Sequence, residues 1–437
     1  MGNLVSVCSC LILAFSGWCC SPSTDGEIAA SGVRVGYTDS LGYTLYRNGE
    51  AFRIRGVSGH QRMELLRAYG GNTVRVYDPD SLGAVLDRAH QLGIAVVADL
   101  PIPAYRKADE LATQQIHRVT PELLSVVERH HDHPALLYWI LGNEVFNRGY
   151  SEEYVTAYNE LVTAIQQRDS LHPISSTFNV YQLGYQKIRW AQPDIDFVSF
   201  NLFGNLPDLS SDLLLMLPLW RGPFVLTEWA YNGPWEATET SWSAPIESPN
   251  ATKARQLRAR YTEWVSPLYD NERMMGDMAF YWGHKTEATP TWYSYFTPEG
   301  EISEMAFTLG QVWKGTDASF PGPSVEYLLL NGRGQDVDHI LTAGTEATVE
   351  VRFLQPPDAV DTVVWEIRKE DWQELGNAPA LPAGSGQPFH RQRVDGAVFR
   401  VPNTEGPYRV YYQIRTSEGY FSASNLPFYV LSMEDAK

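Results

Sequence analysis

Eight short apolar runs, separated by segments with helical periodicity, constrain the fold of this 437-residue chain most strongly. They lie between about residues 33 and 313, and the runs are apolar throughout, as expected for strands covered by helices on both faces. Eight parallel β/α units predict an α/β fold, a (β/α)8 TIM barrel over residues 30–315. In order, the runs are FRIRGV, NTVRVYD, AVVADLPI, LLYWILGNE, ISSTFNV, DFVSFNLFG, FVLTEWA and DMAFYWGHK.

The helices between these runs are marked by apolar stripes and end signals. A stripe from Leu82 to Leu92 ends at Gly93, a helix stop. Thr120 with Pro121 is expected to begin a second helix, and Ser151, followed by two glutamates, a third. An open, doubly wound sheet is the alternative, but no glycine-rich phosphate-binding turn follows the first run.

The residue pattern of the sequence changes after the predicted barrel. Residues 316–324 form a linker rich in proline, glycine and serine. Segments such as ATVEVRF and TVVWEIR then alternate polar and apolar residues, as strands with one buried face do. Residues 325–432 are therefore predicted to form an all-β, immunoglobulin-like sandwich without a disulfide.

The first twenty residues contain all four cysteines, in an uncharged apolar stretch. This stretch predicts a signal peptide or lipoprotein leader over residues 1–24, and hence a periplasmic, cell-surface or secreted protein. Cys19 or Cys20 is a candidate for a lipid anchor. The rival interpretation is myristoylation of Gly2 in MGNLVS, with Ser6 completing the pattern.

Charge and motifs exclude several classes of function. The formal net charge of -18 repels nucleic acid and anionic lipid, so a neutral partner such as a sugar fits better. Nucleotide-binding and Gly-x-Ser-x-Gly motifs are absent from the sequence. His130, His131 and His133 could suggest a metal site, but neighbouring histidines rarely converge on one ion, so we do not expect one here. We expect neither a metal nor a cofactor, and a monomer.

Two acids end apolar runs at positions that a barrel brings together. Glu144 ends the fourth run and Glu228 the seventh, and active sites of such barrels lie at the C-terminal ends of the strands. Glycoside hydrolysis requires two facing carboxyl groups, one protonated and one ionised. Asn143 is placed to bond a sugar hydroxyl, and Arg75 to keep Glu228 ionised. These residues predict a glycoside hydrolase site.

Other acids and several aromatic residues compete for roles at the same end. Asp99, Glu247 and Glu287 also lie near strand ends, and Glu287 is expected to position substrate. Flat rings stack on pyranose faces, so Trp229, Tyr231 and Trp282 are predicted substrate contacts. Trp235 and Trp292 belong to the same sequence cluster, whereas Trp139 and Trp313 are expected to pack in the core.

Several long segments resemble the catalytic barrel of glycoside hydrolase family 2 and its clan A relatives. They include GGNTVRVYD, HHDHPALLYWILGNEV, RDSLHPISS, VLTEWAYNGPW and AFYWGHKTEATPTWYSYF, and they span roughly residues 33–313. The resemblance implies a retaining double displacement. The strand-four glutamate, here Glu144, would be the acid/base, and the strand-seven glutamate, here Glu228, the nucleophile.

The chain departs from family 2 in two respects. A barrel followed by a sandwich is more similar to the endo-β-1,3-glucanases of family 158. On strand six, Phe203 stands where the clan commonly has a tyrosine that touches the nucleophile, and it is expected to contact substrate together with Asn201.

The expected function is therefore an exported retaining hydrolase of a β-linked, neutral polysaccharide or oligosaccharide, with laminarin-like β-1,3-glucan as the favoured substrate. A glucan transglycosylase and a non-catalytic surface glycan-binding protein remain alternatives.

Overall fold

The computed structural model describes residues 32–105, 111–179, 194–218, 220–357, 359–370 and 389–432. The predicted leader, residues 1–24, lies outside these ranges. The described chain begins with a three-stranded antiparallel sheet, β1 (Val33–Thr38), β2 (Gly42–Arg47) and β3 (Glu50–Phe52). The sequence did not predict this sheet.

The predicted barrel is confirmed. Parallel strands β4 to β11 close into one sheet, because β11 pairs with β4 as well as with β10. The strands are β4 (Ile54–Ser58), β5 (Thr73–Val76), β6 (Ala95–Leu100), β7 (Leu136–Leu141), β8 (Ile174–Phe178), β9 (Phe197–Asn201), β10 (Phe224–Trp229) and β11 (Met274–Phe280).

Helices surround the barrel and bury their apolar stripes against it. They are α1 (Met63–Tyr69), α2 (Leu82–Leu92), α3 (Leu111–His130), α4 (Glu152–Gln166), α5 (Leu209–Met216), α6 (Asn250–Arg260) and α7 (Glu304–Lys314). Helix α2 ends at Gly93 with a φ of 66°, and the Ser151 side chain caps α4, both as predicted. None of the helices in the described ranges is long and apolar enough to cross a bilayer.

One predicted helix start is wrong. Pro121 lies inside α3 instead of beginning a helix at Thr120. The Thr120 hydroxyl donates to the carbonyl of Ile116, and Ile116 and Val127 lie in the same buried cluster on either side of the proline. Packing of both halves of the helix on the barrel offsets the backbone bond that proline removes.

The N-terminal sheet covers the bottom of the barrel, which is the end where the barrel strands begin. Leu45 is fully buried in a cluster with Ile54 and Val97 from the barrel strands. The backbone N–H of Tyr43 donates to the carbonyl of Glu272, and the Arg47 side chain donates to that of Pro134. The first barrel strand begins at Ile54, two residues after the start of the predicted run, because Phe52 belongs to β3.

The predicted C-terminal sandwich is also confirmed. Its first sheet has the order β12-β14-β17-β16 and its second the order β13-β19-β18-β15, which is the arrangement of immunoglobulin-like domains. The Tyr408 hydroxyl donates to the carbonyl of Thr404, as in the tyrosine corner of that fold. The strands are β12 (Ser324–Leu330), β13 (Ile340–Thr342), β14 (Glu346–Gln355), β15 (Thr362–Lys369), β16 (Phe389–Arg393), β17 (Gly396–Arg400), β18 (Gly406–Arg415) and β19 (Phe421–Leu431).

A buried polar network joins the sandwich to the barrel. Arg409 of β18 is fully buried, pairs with Glu370, and donates to Asn425 Oδ1 and to the carbonyl of Pro245, each at 2.7 Å. Asn425 in turn donates to Glu247 of the barrel. Because these groups are desolvated and satisfy one another, they fix how the two domains pack.

Candidate active site

A cavity of about 570 Å³ opens at the C-terminal end of the barrel strands. It is lined by side chains from the ends of several strands and from the loops that follow them. These are Tyr77, Asn143, Glu144, Asn179, Phe203, Glu228, Trp235, Phe280, Tyr281, Lys285 and Glu287. The barrel thus brings Glu144 and Glu228 into one cavity.

Glu144 reaches the cavity through a tight turn after β7. Gly142 has a φ of 74° and Glu144 itself a φ of 55°, a conformation that L residues rarely adopt. The backbone N–H of Glu144 donates to the Thr177 hydroxyl at 2.7 Å, which holds the turn. Asn201 donates to one carboxylate oxygen at 2.8 Å, and Asn147 donates to the other. The turn and two amides therefore fix this carboxyl group.

Glu228 lies within β10 and is 6% exposed. Its Oε1 accepts hydrogen bonds from Arg75 Nη1 at 2.9 Å and from the Tyr77 hydroxyl at 2.8 Å. Both donors lie at the end of β5, so strand two of the barrel holds a carboxylate of strand seven. A cation contacts Glu228, whereas the hydrogen-bond partners of Glu144 are neutral.

Arg75 is the centre of this network. Its guanidinium is fully buried and forms two bonds to the Asp99 carboxylate, at 2.8 and 2.7 Å, in addition to the bond to Glu228. Arg75 Nη2 also donates to Asn143 Oδ1 at 2.9 Å. Asp99, an acid that competed for a catalytic role, is therefore engaged in orienting Arg75 beneath the cavity.

The amide orientation of Asn143 follows from its neighbours. Its Oδ1 accepts from Arg75, from the Thr177 hydroxyl at 2.8 Å and from Asn201 Nδ2 at 3.1 Å. Arginine can only donate, so the oxygen must face this network and the NH2 group is left for a ligand in the cavity.

The two glutamates have raised pKa values, with different opposing contributions. Burial, together with the charge of Glu144, raises the pKa of Glu228 to about 7, and Arg75 and Tyr77 oppose this rise. Burial raises the pKa of Glu144, and the hydrogen bond from Asn201 and the charge of Arg75 oppose it. Burial thus disfavours the ionised form of both carboxyl groups, and the charge of Glu144 adds to this effect at Glu228.

Tyr77 was not identified from the sequence, because a tyrosine in contact with the strand-seven glutamate was expected on strand six. Phe203 does occupy that position; it is 6% exposed, lines the cavity and packs edge-on against Phe280. The hydroxyl that contacts the carboxylate of Glu228 comes instead from strand two. The segment NTVRVYD contains both Arg75 and Tyr77, and their spacing by two residues places them on the same side of the strand.

A second pair of charges lies on the loop after β11. Lys285 Nζ is 3.5 Å from a carboxylate oxygen of Glu287, and both side chains line the cavity. Burial raises the pKa of Glu287, and the charge of Lys285 opposes this shift. Glu287 thus lies where the sequence predicted a substrate contact, and Lys285 was missed.

The predicted stacking of substrate on Trp229 and Trp282 is corrected. Glu228 points into the cavity, so the next residue of the strand points outward. Trp229 accordingly packs on Tyr261 and donates to Asp277 at 2.7 Å. Trp282 is also fully buried, against Phe296.

Other aromatic side chains line the cavity in place of these tryptophans. Tyr281, one residue before Trp282, lies at its wall, and Trp235 is 48% exposed. Tyr231 does not line this cavity; it is 1% exposed and stacks on Tyr293, with the ring centroids 5.6 Å apart.

Two remaining candidates lie away from the cavity lining. Glu247 is 2% exposed and forms an ion pair with Lys253 in the network that joins the domains. His133 Nδ1 accepts the N–H of Ala135 just before β7 begins, at the opposite end of that strand from Glu144. In the part of the chain that the structure describes, no group of three or more His, Cys, Asp or Glu side chains could hold a metal ion.

Comparison with known proteins shows similarity of fold. No family profile matches this sequence, and no curated protein does either. A β-D-glucuronidase from Dictyoglomus thermophilum is a similar solved structure, with 16% sequence identity and a TM-score of 0.51 over 66% of this chain and 54% of that chain. A Bacteroides uniformis β-glucuronidase has 15% identity and a TM-score of 0.49, and the match covers 92% of this chain and 48% of that chain. The chain spans about half the length of these proteins, and the first similarity shows a shared barrel fold.

Proposed function

We propose that this protein is a retaining β-glycoside hydrolase. One observation carries the proposal: Glu144 and Glu228 line a single cavity at the C-terminal end of the barrel, and a cation contacts Glu228 alone of the two. Two carboxyl groups in different electrostatic surroundings are what an acid and a nucleophile require.

The contacts assign a role to each carboxyl group. Arg75 and Tyr77 favour the ionised form of Glu228, so the proton of the pair resides on Glu144. Glu228 attacks the anomeric carbon while Glu144 gives its proton to the departing glycosidic oxygen. Glu144 then takes a proton from water, which attacks the glycosyl ester and releases Glu228. A retaining mechanism requires the two carboxyl groups to lie roughly 5 to 5.5 Å apart.

The charges in the cavity favour a neutral sugar. Glu144, Glu228 and Glu287 contribute three carboxyl groups, and Lys285 already pairs with Glu287. A uronide, the class named for the similar solved structures, would bring another carboxylate into these surroundings. The Asn143 amide and the exposed ring of Trp235 instead suit hydroxyl groups and a pyranose face.

Within the neutral β-glucans, we propose a laminarin-like β-1,3-glucan. The support for this finer assignment is the resemblance of the barrel-and-sandwich layout to family 158. Two alternatives use the same cavity. A transglycosylase would form longer products when supplied with oligosaccharide, and a non-catalytic glycan-binding protein would bind without releasing reducing ends.

Substitution of the two glutamates tests the mechanism. Glu228→Ala should abolish turnover, since it removes the carboxylate that forms the glycosyl ester. Glu144→Ala should retain activity on aryl glycosides with good leaving groups, and added azide should accelerate it and yield a β-glycosyl azide. The measurement is reducing-end release from a panel of β-glucans, mannans and galactosides. Full activity of either variant on an unactivated polysaccharide would refute the assignment.

We also propose export, with a lipid anchor on Cys19 or Cys20 as one form of it. The support is the uncharged apolar stretch that contains all the cysteines. Mass spectrometry of the N-terminal peptide from fractionated cells tests this proposal. A mature chain that retains Met1, or myristoylated Gly2, would contradict it.

A further inference from the structure

A second cavity, of about 400 Å³, lies where the barrel meets the sandwich. Its barrel side includes Asn232 and Glu236 from the loop after β10, and Gln256 from α6. Its sandwich side is formed by Gln335 and Asp336, from the loop between β12 and β13. Both domains thus contribute to one depression.

A single helical turn, Pro234–Glu236, contributes side chains to both this cavity and the active-site cavity. Trp235 lines the active-site cavity and the next residue, Glu236, lines the second one. The Glu236 carboxylate accepts the backbone N–H groups of Gly204 at 2.6 Å and Gly233 at 2.9 Å. Gly204 follows Phe203 of the active-site wall, so these bonds fix the turn as a ridge between the two cavities.

The ridge carries an aromatic surface. Trp235 is 48% exposed, although its ring packs edge-on against Phe203 with the centroids 5.4 Å apart. The indole is therefore held by a buried neighbour while much of its surface remains open to solvent. A ring held in this way loses little conformational freedom when a pyranose stacks on it.

The chemistry of the second cavity matches sugar hydroxyl groups. Gln256 and Gln335 have amides, which both donate and accept hydrogen bonds, as hydroxyls do. Asp336 adds an acceptor. The cation at this site, Lys253, already pairs with the buried carboxylate of Glu247, so it supplies no net positive charge for an anionic ligand.

The sandwich loop is held in place before any ligand binds. Asp338 accepts the backbone N–H of Ser241 at 3.1 Å, which ties this loop to the loop after β10. His339 Nε2 donates to the carbonyl of Gly334 at 2.8 Å within the loop. Gln335 and Asp336 therefore lie on a segment anchored at both sides.

We propose that the second cavity is a distal subsite for a longer glycan, whose chain crosses Trp235 from the cleavage site. This inference rests on the proposed hydrolase function and extends it, because it makes the substrate an oligosaccharide or polysaccharide bound by both domains. The sandwich then acts as part of the substrate-binding surface.

The double variant Gln335→Ala/Asp336→Ala tests this subsite. Its kcat/KM is measured on an aryl β-glycoside and on oligosaccharides of increasing length, cut from whichever β-glucan the enzyme hydrolyses. We expect a roughly five- to tenfold loss, mainly in KM, on the longer oligosaccharides and no change on the aryl glycoside. Asp361→Ala, an exposed sandwich carboxylate that lines neither cavity, is the matched control and should change nothing.

Three outcomes would overturn the proposal. They are an equal loss on all substrates, no loss on any, and a wild-type enzyme whose kcat/KM does not rise with chain length. Absence of turnover by the wild-type enzyme on every glycoside would refute the hydrolase function instead. In that event, calorimetric titration with a β-glucan hexasaccharide still tests the cavity, and equal affinity of the wild type and the double variant would exclude it.

Discussion

At the scale of single residues, the site depends on how one arginine is shared. Arg75 contacts Asp99, Glu228 and Asn143, while Glu144 is held by amides. This unequal distribution gives different electrostatic surroundings to two carboxyl groups that burial affects in the same direction, as the proposed roles require. Tyr77 strengthens the difference, since its ring lies 4.2 Å from the Arg75 guanidinium and its hydroxyl bonds Glu228.

Tyr77→Phe should therefore weaken catalysis and change its pH dependence. The hydroxyl stabilises ionised Glu228, so its loss raises the pKa of that carboxyl and leaves less of the proposed nucleophile ionised at a given pH. We expect the acidic limb of the kcat/KM profile to move to higher pH. A hydrogen bond to a charge contributes about 1.5 to 3 kcal/mol, so the limb should move by roughly one to two pH units.

Tyr281→Phe is the control for this prediction, because Tyr281 lines the same cavity and makes no hydrogen bond to Glu228. The acidic limb of the kcat/KM profile of Tyr281→Phe should coincide with that of the wild type. An unshifted limb in Tyr77→Phe would show that the hydroxyl does not act on the nucleophile.

At the scale of elements, the turn after β7 delivers the acid. Gly142 and Glu144 both have positive φ, and Thr177 of the next strand fixes the turn through the Glu144 N–H. A Cβ at Gly142 would lie 2.6 Å from Val145 and 2.9 Å from Ile102, so the turn could not keep its path. Backbone strain in this turn is thus balanced by packing beneath it.

Gly142→Ala should lower activity by more than the accompanying loss of folding stability would account for. Displacement of the turn moves Asn143 and Glu144 together, and misplacement of a catalytic group by about 1 Å costs on the order of 100-fold in rate. Gly93→Ala is the control: Gly93 also has positive φ, and a Cβ added there would meet no atom within 4 Å. We expect it to cost about 1 kcal/mol of unfolding free energy and no activity. Equal activity of the two variants, measured at a temperature where both are folded, would contradict the role of the turn.

At the scale of the whole molecule, the sandwich is built into the barrel through desolvated polar groups. Arg409 and Asn425 lie in the sandwich, Glu247 and Pro245 in the barrel loop that continues from β10. This loop carries Trp235, so the interface supports the wall of the active-site cavity. We expect the two domains to unfold together.

Arg409→Met should destabilise the whole protein. The substitution leaves the Glu370 carboxylate buried without its cation and Asn425 without a donor, at a cost of about 3 to 5 kcal/mol. Denaturant unfolding followed by circular dichroism measures this change. Arg393→Ala is the control, since it removes an ion pair between the exposed side chains of Arg393 and Asp395, which are 70% and 62% exposed. It should lower the free energy of unfolding by less than about 1 kcal/mol. Similar effects of the two variants would show that the interface network is not stabilising.

The sequence alone predicted the barrel, the sandwich and the acids at the ends of strands four and seven. Apolar runs, their spacing and the residue that ends each run are local properties, and eight such units have one common closed arrangement. The resemblance to clan A added the roles of Glu144 and Glu228, which stay predictions.

Only the tertiary structure decided which neighbours complete the site. Strands buried on both faces show no alternation, so the sequence could not tell that Glu228 faces the cavity while Trp229 packs on Tyr261. Tyr77 and Glu228 are 151 positions apart, and barrel closure brings their side chains together. The burial of Glu247 likewise depends on the sandwich docked against it, because contacts between distant segments follow from packing and not from local pattern.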